Sequence, residues 1–146
     1  MKLLILLVGG TLLGFAPNLN PVHWSLFVSS PTMLQLHADI DAGYHLYSLT
    51  TPKGGPIRTK IRVVESGFVT LGEVGQLKPD VRRDATFEVD VETFSGSVDF
   101  VVPLTWSKQV GAAGQKVSLI SRYQACSDVI CLPPVERTVS VVVPGR

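Results

Sequence analysis

The chain has 146 residues, 45% hydrophobic and 17% charged, with 13 Lys and Arg against 12 Asp and Glu. That length suits one domain with its own buried core, and the high apolar content with near-zero net charge excludes a disordered chain. Balanced charge leaves no nucleic-acid footprint, and 2 cysteines are too few for a disulfide scaffold or a four-thiolate zinc site.

One stretch is apolar enough to meet a membrane, which excludes a multi-pass transporter. It opens the chain: Lys2 precedes Leu3 to Ala16, about 14 largely apolar residues, the pattern of an export signal and short of a full membrane span. Gly14 and Ala16 offer small residues for cleavage, while Pro17 is unfavourable directly after them. Residues 1–16 therefore read as a signal peptide or N-terminal anchor, and 17–146 as one domain. Export implies an extracytoplasmic, oxidising compartment, in which a cysteine pair can be a disulfide.

The remainder reads as strands and turns. His23 to Val28 begins an apolar and β-branched run. Leu34, Leu36, Ala38 and Ile40 then alternate with Gln35, His37, Asp39 and Asp41, the period of a half-buried strand. After a turn at Ala42-Gly43 comes a strand from Tyr44 to Leu49, and Pro52, Gly54, Gly55 and Pro56 mark a loop. Lys60 to Glu65 and Phe68 to Leu71 read as short strands, and Gly72 to Asp84 as a polar, breaker-rich connection. Thr86 to Phe94 places Phe87, Val89 and Val91 on one face. Val98 to Trp106, Val117 to Tyr123 and Val135 to Val143 complete about nine strands, with no helical period in any long window. The expected fold is all-β, an immunoglobulin-like antiparallel β-sandwich.

Cys126 and Cys131 flank Ser127-Asp128-Val129-Ile130, between the last two strands, at one hairpin-like end. Pro133-Pro134 keeps the exit extended. Three readings are open. A structural bridge closing ~6 residues would stabilise by only about 2 kcal/mol. A metal site would need two further ligands, and the histidines are scattered at His23, His37 and His45. A redox pair would cycle by exchange with a partner's thiols. No helix N-terminus is at hand to lower a thiol pKa, and Asp128 disfavours a nearby thiolate, so the pair suits a disulfide attacked by a partner.

The block Tyr123 to Pro134, Tyr-Gln-Ala-Cys-Ser-Asp-Val-Ile-Cys-Leu-Pro-Pro, resembles the active-site segment of the amino-terminal domain of the thiol–disulfide interchange protein DsbD and of stand-alone disulfide bond corrector domains. Gly43 to Ser48, Gly54 to Ile57 and Phe87 to Pro103 are similar to further stretches of that family, so the resemblance spans roughly residues 20 to 144. It implies a module relaying reducing equivalents between a membrane-linked or thioredoxin-like donor and exported substrates, cytochrome c maturation factors among them. Within it Cys131 would be the exchanging sulfur and Cys126 the resolving one.

The resemblance also implies an aromatic cap over the pair, for which Phe87 is the candidate, a core Phe being the alternative. It sets His45, Tyr47, Tyr123 and Asp128 beside the cysteines. Strand alternation puts His45 and Tyr47 on one face and Tyr44 and Leu46 on the other. His45 stands where a tyrosine is expected, and as base or thiolate partner it competes with a packing role. Arg122 is the nearest cation in sequence, facing undecided. The gap between the cysteines is one residue shorter than in DsbD, which favours the stand-alone branch. Electrons would then come from separate thioredoxin-like or membrane proteins. No metal, small-molecule cofactor or nucleic acid is expected, and a binding module with a structural disulfide is the alternative function.

Overall fold

A computed structural model describes residues 19–84, 87–111 and 113–145; the expected signal or anchor, residues 1–16, lies outside them. The described residues form twelve strands and no helix. β1 (Val22–Ser30) and β2 (Met33–Ile40) make a hairpin, and β2 pairs on its other side with β9 (Ser97–Trp106), all antiparallel. Short strands β5 (Val69–Leu71) and β6 (Gly75–Gln76) close the free side of β9.

Facing this sheet are two smaller ones. β10 (Gln115–Tyr123) lies between β12 (Val135–Val143) and β4 (Lys60–Val63). The other runs in the order β11 (Ala125–Ser127), β3 (Tyr44–Tyr47), β8 (Val89–Phe94) and β7 (Asp80–Asp84). The chain passes between these two sheets at Gln124, between β10 and β11.

The core follows from period-2 alternation. Leu34, Leu36 and Ala38 of β2 and Phe100 and Val102 of β9 point inward. They meet Val117, Leu119 and Tyr123 of β10 and Leu46, Phe94 and Ala125 of the four-stranded sheet in one cluster. The result is the expected immunoglobulin-like sandwich, with cysteines on a terminal hairpin.

Three local expectations are corrected. The stretch 72–84, expected as a connection, contains β6 and β7. β7 is an edge strand whose residues are nearly all exposed, so no burial pattern marks it in sequence. The strand expected from Thr86 begins at Val89, because Glu88 adopts a left-handed φ of 54° that breaks extension. Phe87 is therefore a turn residue. The strand expected to reach Leu49 ends at Tyr47, where Ser48 and Thr50 turn to hydrogen-bond Glu92.

Candidate functional site

The site occupies the outer face of the four-stranded sheet. Along β3 and β8, Leu46 and Phe94 point into the main core, while Tyr47 and Val91 point the other way. Cys126 joins that second, smaller cluster, with Val89 packed against it. One strand face thus holds up the sandwich and the opposite face carries the chemistry.

The hairpin follows from its hydrogen bonds. Ser127 N–H donates to Ile130 C=O at 2.8 Å and Leu132 N–H to Ala125 C=O at 2.9 Å, which makes Cys126 and Cys131 a directly opposed pair with no hydrogen bonds between them. Such pairs bring side chains closest, and here Cα atoms 4.0 Å apart carry a disulfide. The Ser127 hydroxyl oxygen accepts from the N–H groups of Val129 and Ile130, at 3.2 and 3.1 Å, and shapes the tip. Gln124 fastens the base: its side-chain oxygen accepts from Ile57 N–H at 3.1 Å and its amide donates to Leu132 C=O at 3.0 Å.

The two cysteines differ sharply in access. Cys126 is 1% exposed, whereas Cys131 is an exposed residue. Both line a cleft of about 400 Å³ with His45, Tyr47, Arg82, Asp84, Phe87 and Asp128. Phe87, 42% exposed, lies at the rim rather than in the core. Its N–H donates to Asp84 Oδ1 at 3.0 Å. The glycine loop packs close by: a Cβ on Gly55 would lie 3.0 Å from a Val89 methyl, so a larger residue there would push Val89 by a few tenths of an ångström, and 3.6 Å from Phe87, an ordinary contact.

His45 sits opposite Cys126 in the β3–β11 ladder, so both side chains leave the sheet on one face. The ring is 5% exposed and meets Tyr47 edge-on, with a 3.0 Å hydrogen bond between Nε2 and Tyr47 Oη. Arg82 Nη2 donates to the imidazole, 2.7 Å from Nδ1 and 2.5 Å from Nε2. A guanidinium only donates and a neutral imidazole has one unprotonated nitrogen, so one of these two nitrogens accepts from Arg82 and the ring is neutral. Burial first, and the Arg82 charge second, push the His45 pKa down to about 4. Burial likewise pushes the Tyr47 hydroxyl up to about 12, which keeps it a donor.

Of the residues singled out in sequence, His45, Tyr47, Phe87, Asp128, Cys126 and Cys131 therefore converge on one cleft. Tyr123 does not. It is 1% exposed in the main core, its ring 5.3 Å from that of Trp24, because alternation along β10 turns it inward with Leu119 and Ser121. Arg122 is correspondingly exposed and lies beside the 52–58 loop, outside the cleft. The cations of the cleft are Arg82 and Arg83, both on the edge strand that sequence patterning did not reveal, and Arg82 is the one in contact with His45. It also approaches Asp128, 3.9 Å away at the hairpin tip.

Residues 20–143 match the family model of the N-terminal domain of the thiol:disulfide interchange protein DsbD. Among solved structures, the chain is similar to the Neisseria meningitidis DsbD N-terminal domain in its reduced form, with a TM-score of 0.65 and 20% identity over 90% of this chain and 92% of that one. It is similar to the same domain in complex with the PilB N-terminal domain of that organism, with a TM-score of 0.62 and 18% identity over 90% of each chain. The N-terminal periplasmic domain of ScsB from Proteus mirabilis follows at 0.57 and 13% identity, over 85% of this chain and 47% of that one. At such identities the solved structures bear on the fold. No curated protein sequence matches the chain.

Proposed function

The chain belongs to the DsbD N-terminal domain family of thiol–disulfide interchange, and we propose that it relays reducing equivalents outside the cytoplasm through Cys126 and Cys131. The observation that carries this reading is the unequal access of the two sulfurs inside a built cleft. A partner thiolate attacks the exposed Cys131, a partner–Cys131 disulfide forms, and the Cys126–Cys131 bond breaks with its electron pair on Cys126. The partner's own second thiol then attacks the partner sulfur, closes a disulfide in the partner and leaves this domain as a dithiol. In the onward step the Cys131 thiolate attacks a substrate disulfide, one substrate sulfur leaves as thiolate, and Cys126 attacks Cys131, expels the other substrate thiolate and restores the bridge.

Thioredoxin-like proteins suit this chemistry, since they carry a reactive thiolate on an exposed surface. A complex of a related domain with the PilB N-terminal domain supports the idea that this fold docks partner domains. We assign His45, Tyr47, Phe87 and Asp128 to the site as neighbours of the pair. The apolar N-terminal stretch serves as signal or anchor, and a membrane electron-transfer protein is the proposed ultimate donor.

Trapping tests the assignment. Cys126→Ser should accumulate a mixed disulfide through Cys131 with a thioredoxin that lacks its resolving cysteine and whose remaining cysteine is activated as a thionitrobenzoate disulfide, whereas Cys131→Ser should accumulate little. Equal trapping by both variants would overturn the roles. A wild-type reduction potential below roughly −300 mV, the range of structural bridges, would overturn the function.

A further inference from the structure

Opening the disulfide at Cys131 leaves a negative charge on a sulfur that is 1% exposed, where water cannot solvate it. Burial alone would raise the pKa of that thiol and make Cys126 a poor leaving group. The cleft holds one group suited to offset this. We propose that Arg82, acting through the His45 imidazole, is the positioning residue that holds the charge released on Cys126 and so directs attack to Cys131. The inference rests on the redox reading above and adds a residue to it.

Three observations carry it. His45 is the direct cross-strand partner of Cys126, on the same face. The Arg82 guanidinium is in hydrogen-bond contact with that ring. Arg82, His45 and both cysteines line one cleft. The balance of the surrounding charge points the same way. β3 contributes His45 and Tyr47, both uncharged at neutral pH, and β8 contributes the apolar Val89 and Val91.

From β7 come Arg82, Arg83 and Asp84, and from the hairpin Asp128. Arg83 Nη1 lies 3.5 Å from Asp90 Oδ1, Asp84 accepts the Phe87 N–H, and Asp128 is 92% exposed at the tip. The guanidinium is thus the charge seated against the ring that faces Cys126; exposed Asp128, 3.9 Å from Arg82 Nη1, and half-buried Asp84 oppose it in part. A cation favours the charged form of a nearby acid, by roughly one to three pKa units when within about 4–6 Å, and Arg82, with the ring between it and Cys126, acts in that direction against the burial penalty. A lower leaving-group pKa speeds departure, so the charge placement and the exposure of Cys131 select the same sulfur for attack.

In the reaction, the partner's thiolate supplies the electron pair, Cys131 keeps the new bond, and Cys126 leaves as thiolate beside His45. The proton comes later, from solvent or from the partner's second thiol, when the cycle closes.

The test uses the full domain with Cys131→Ser, so that Cys126 is the one free thiol. Thiolate absorbance near 240 nm is followed against pH. Arg82→Met should lower the thiolate fraction at neutral pH about tenfold, and Arg82→Lys should recover part of it. An unchanged titration in folded Arg82→Met would overturn the proposal. A second measurement needs no substitution: the His45 ring proton resonances are titrated in the oxidised and reduced wild-type protein. A thiolate forming beside the ring should add to the His45 resonances of the reduced protein an inflection at the Cys126 midpoint that the oxidised protein lacks, and the absence of that inflection would overturn the proposal. Failure of wild-type protein to exchange with thioredoxin would instead sink the redox reading, so the two failures are distinct.

Discussion

At His45, a ring that titrates near 6.5 in a free chain stays neutral until about pH 4, because burial and then Arg82 oppose its charging. Unfolded chains take up this proton at the ordinary value, so between the two the unfolded state binds more protons. The His45 contribution to stability is complete above about pH 6.5 and is lost as pH falls through about 4. His37 behaves in the opposite sense. A hydrogen bond to Asp99, at 2.7 Å, and then one to Asp39 raise its pKa. Its contribution is complete below the ordinary histidine value and is lost as pH rises through the elevated one. Urea midpoints across this range should show both limbs: His45→Gln should flatten the acid limb, and His37→Asn the limb near neutrality. A His45→Gln protein that keeps the full acid loss would contradict the burial argument. That His45 and Tyr47 share one face was legible in sequence because period 2 sets it, while their place beside the cysteines came from the family resemblance. Arg82 was not legible, because it is brought to them by a strand nearly 40 residues away.

Strand elements with one buried face announce themselves. β2 and β9 alternate cleanly, and both were expected within a residue or so of where they lie. Elements stabilised mainly by hydrogen bonding to a neighbour do not, and β7 is of that kind. The β7–β8 turn is where this matters for function, since it carries Phe87 to the mouth of the cleft. A half-exposed turn residue contributes little to stability, within about 0.5 kcal/mol for surface positions. Phe87→Ala should therefore leave the thermal midpoint nearly unchanged, while the rate at which dithiothreitol reduces the disulfide rises several-fold. An unchanged rate would remove Phe87 from the capping role. The hairpin itself is set by short-range chemistry: Ser127 turns the tip and the ladder does the rest.

For the whole molecule, the disulfide is a small contributor to stability. Its closed loop of ~6 residues stabilises by about 2 kcal/mol in the chain-entropy account, against a core spanning both layers of the sandwich. The reduced protein should remain folded and unfold cooperatively, with a stability lower by about that amount. Loss of a cooperative transition on reduction would return the bridge to a structural role. A fold that stands with the bridge open is what a cycling pair requires.

The sequence by itself determined the all-β class, the faces of the long strands and the position of the cysteine hairpin, because alternation, turn residues and local spacing are properties of neighbouring residues. Tertiary structure decided the rest. It turned Tyr123 into the core, set Arg122 outside the cleft and brought Arg82 to His45. It also buried Cys126 while exposing Cys131. Those outcomes depend on which strands pair and which layers stack, and contacts between distant segments leave no local period to read.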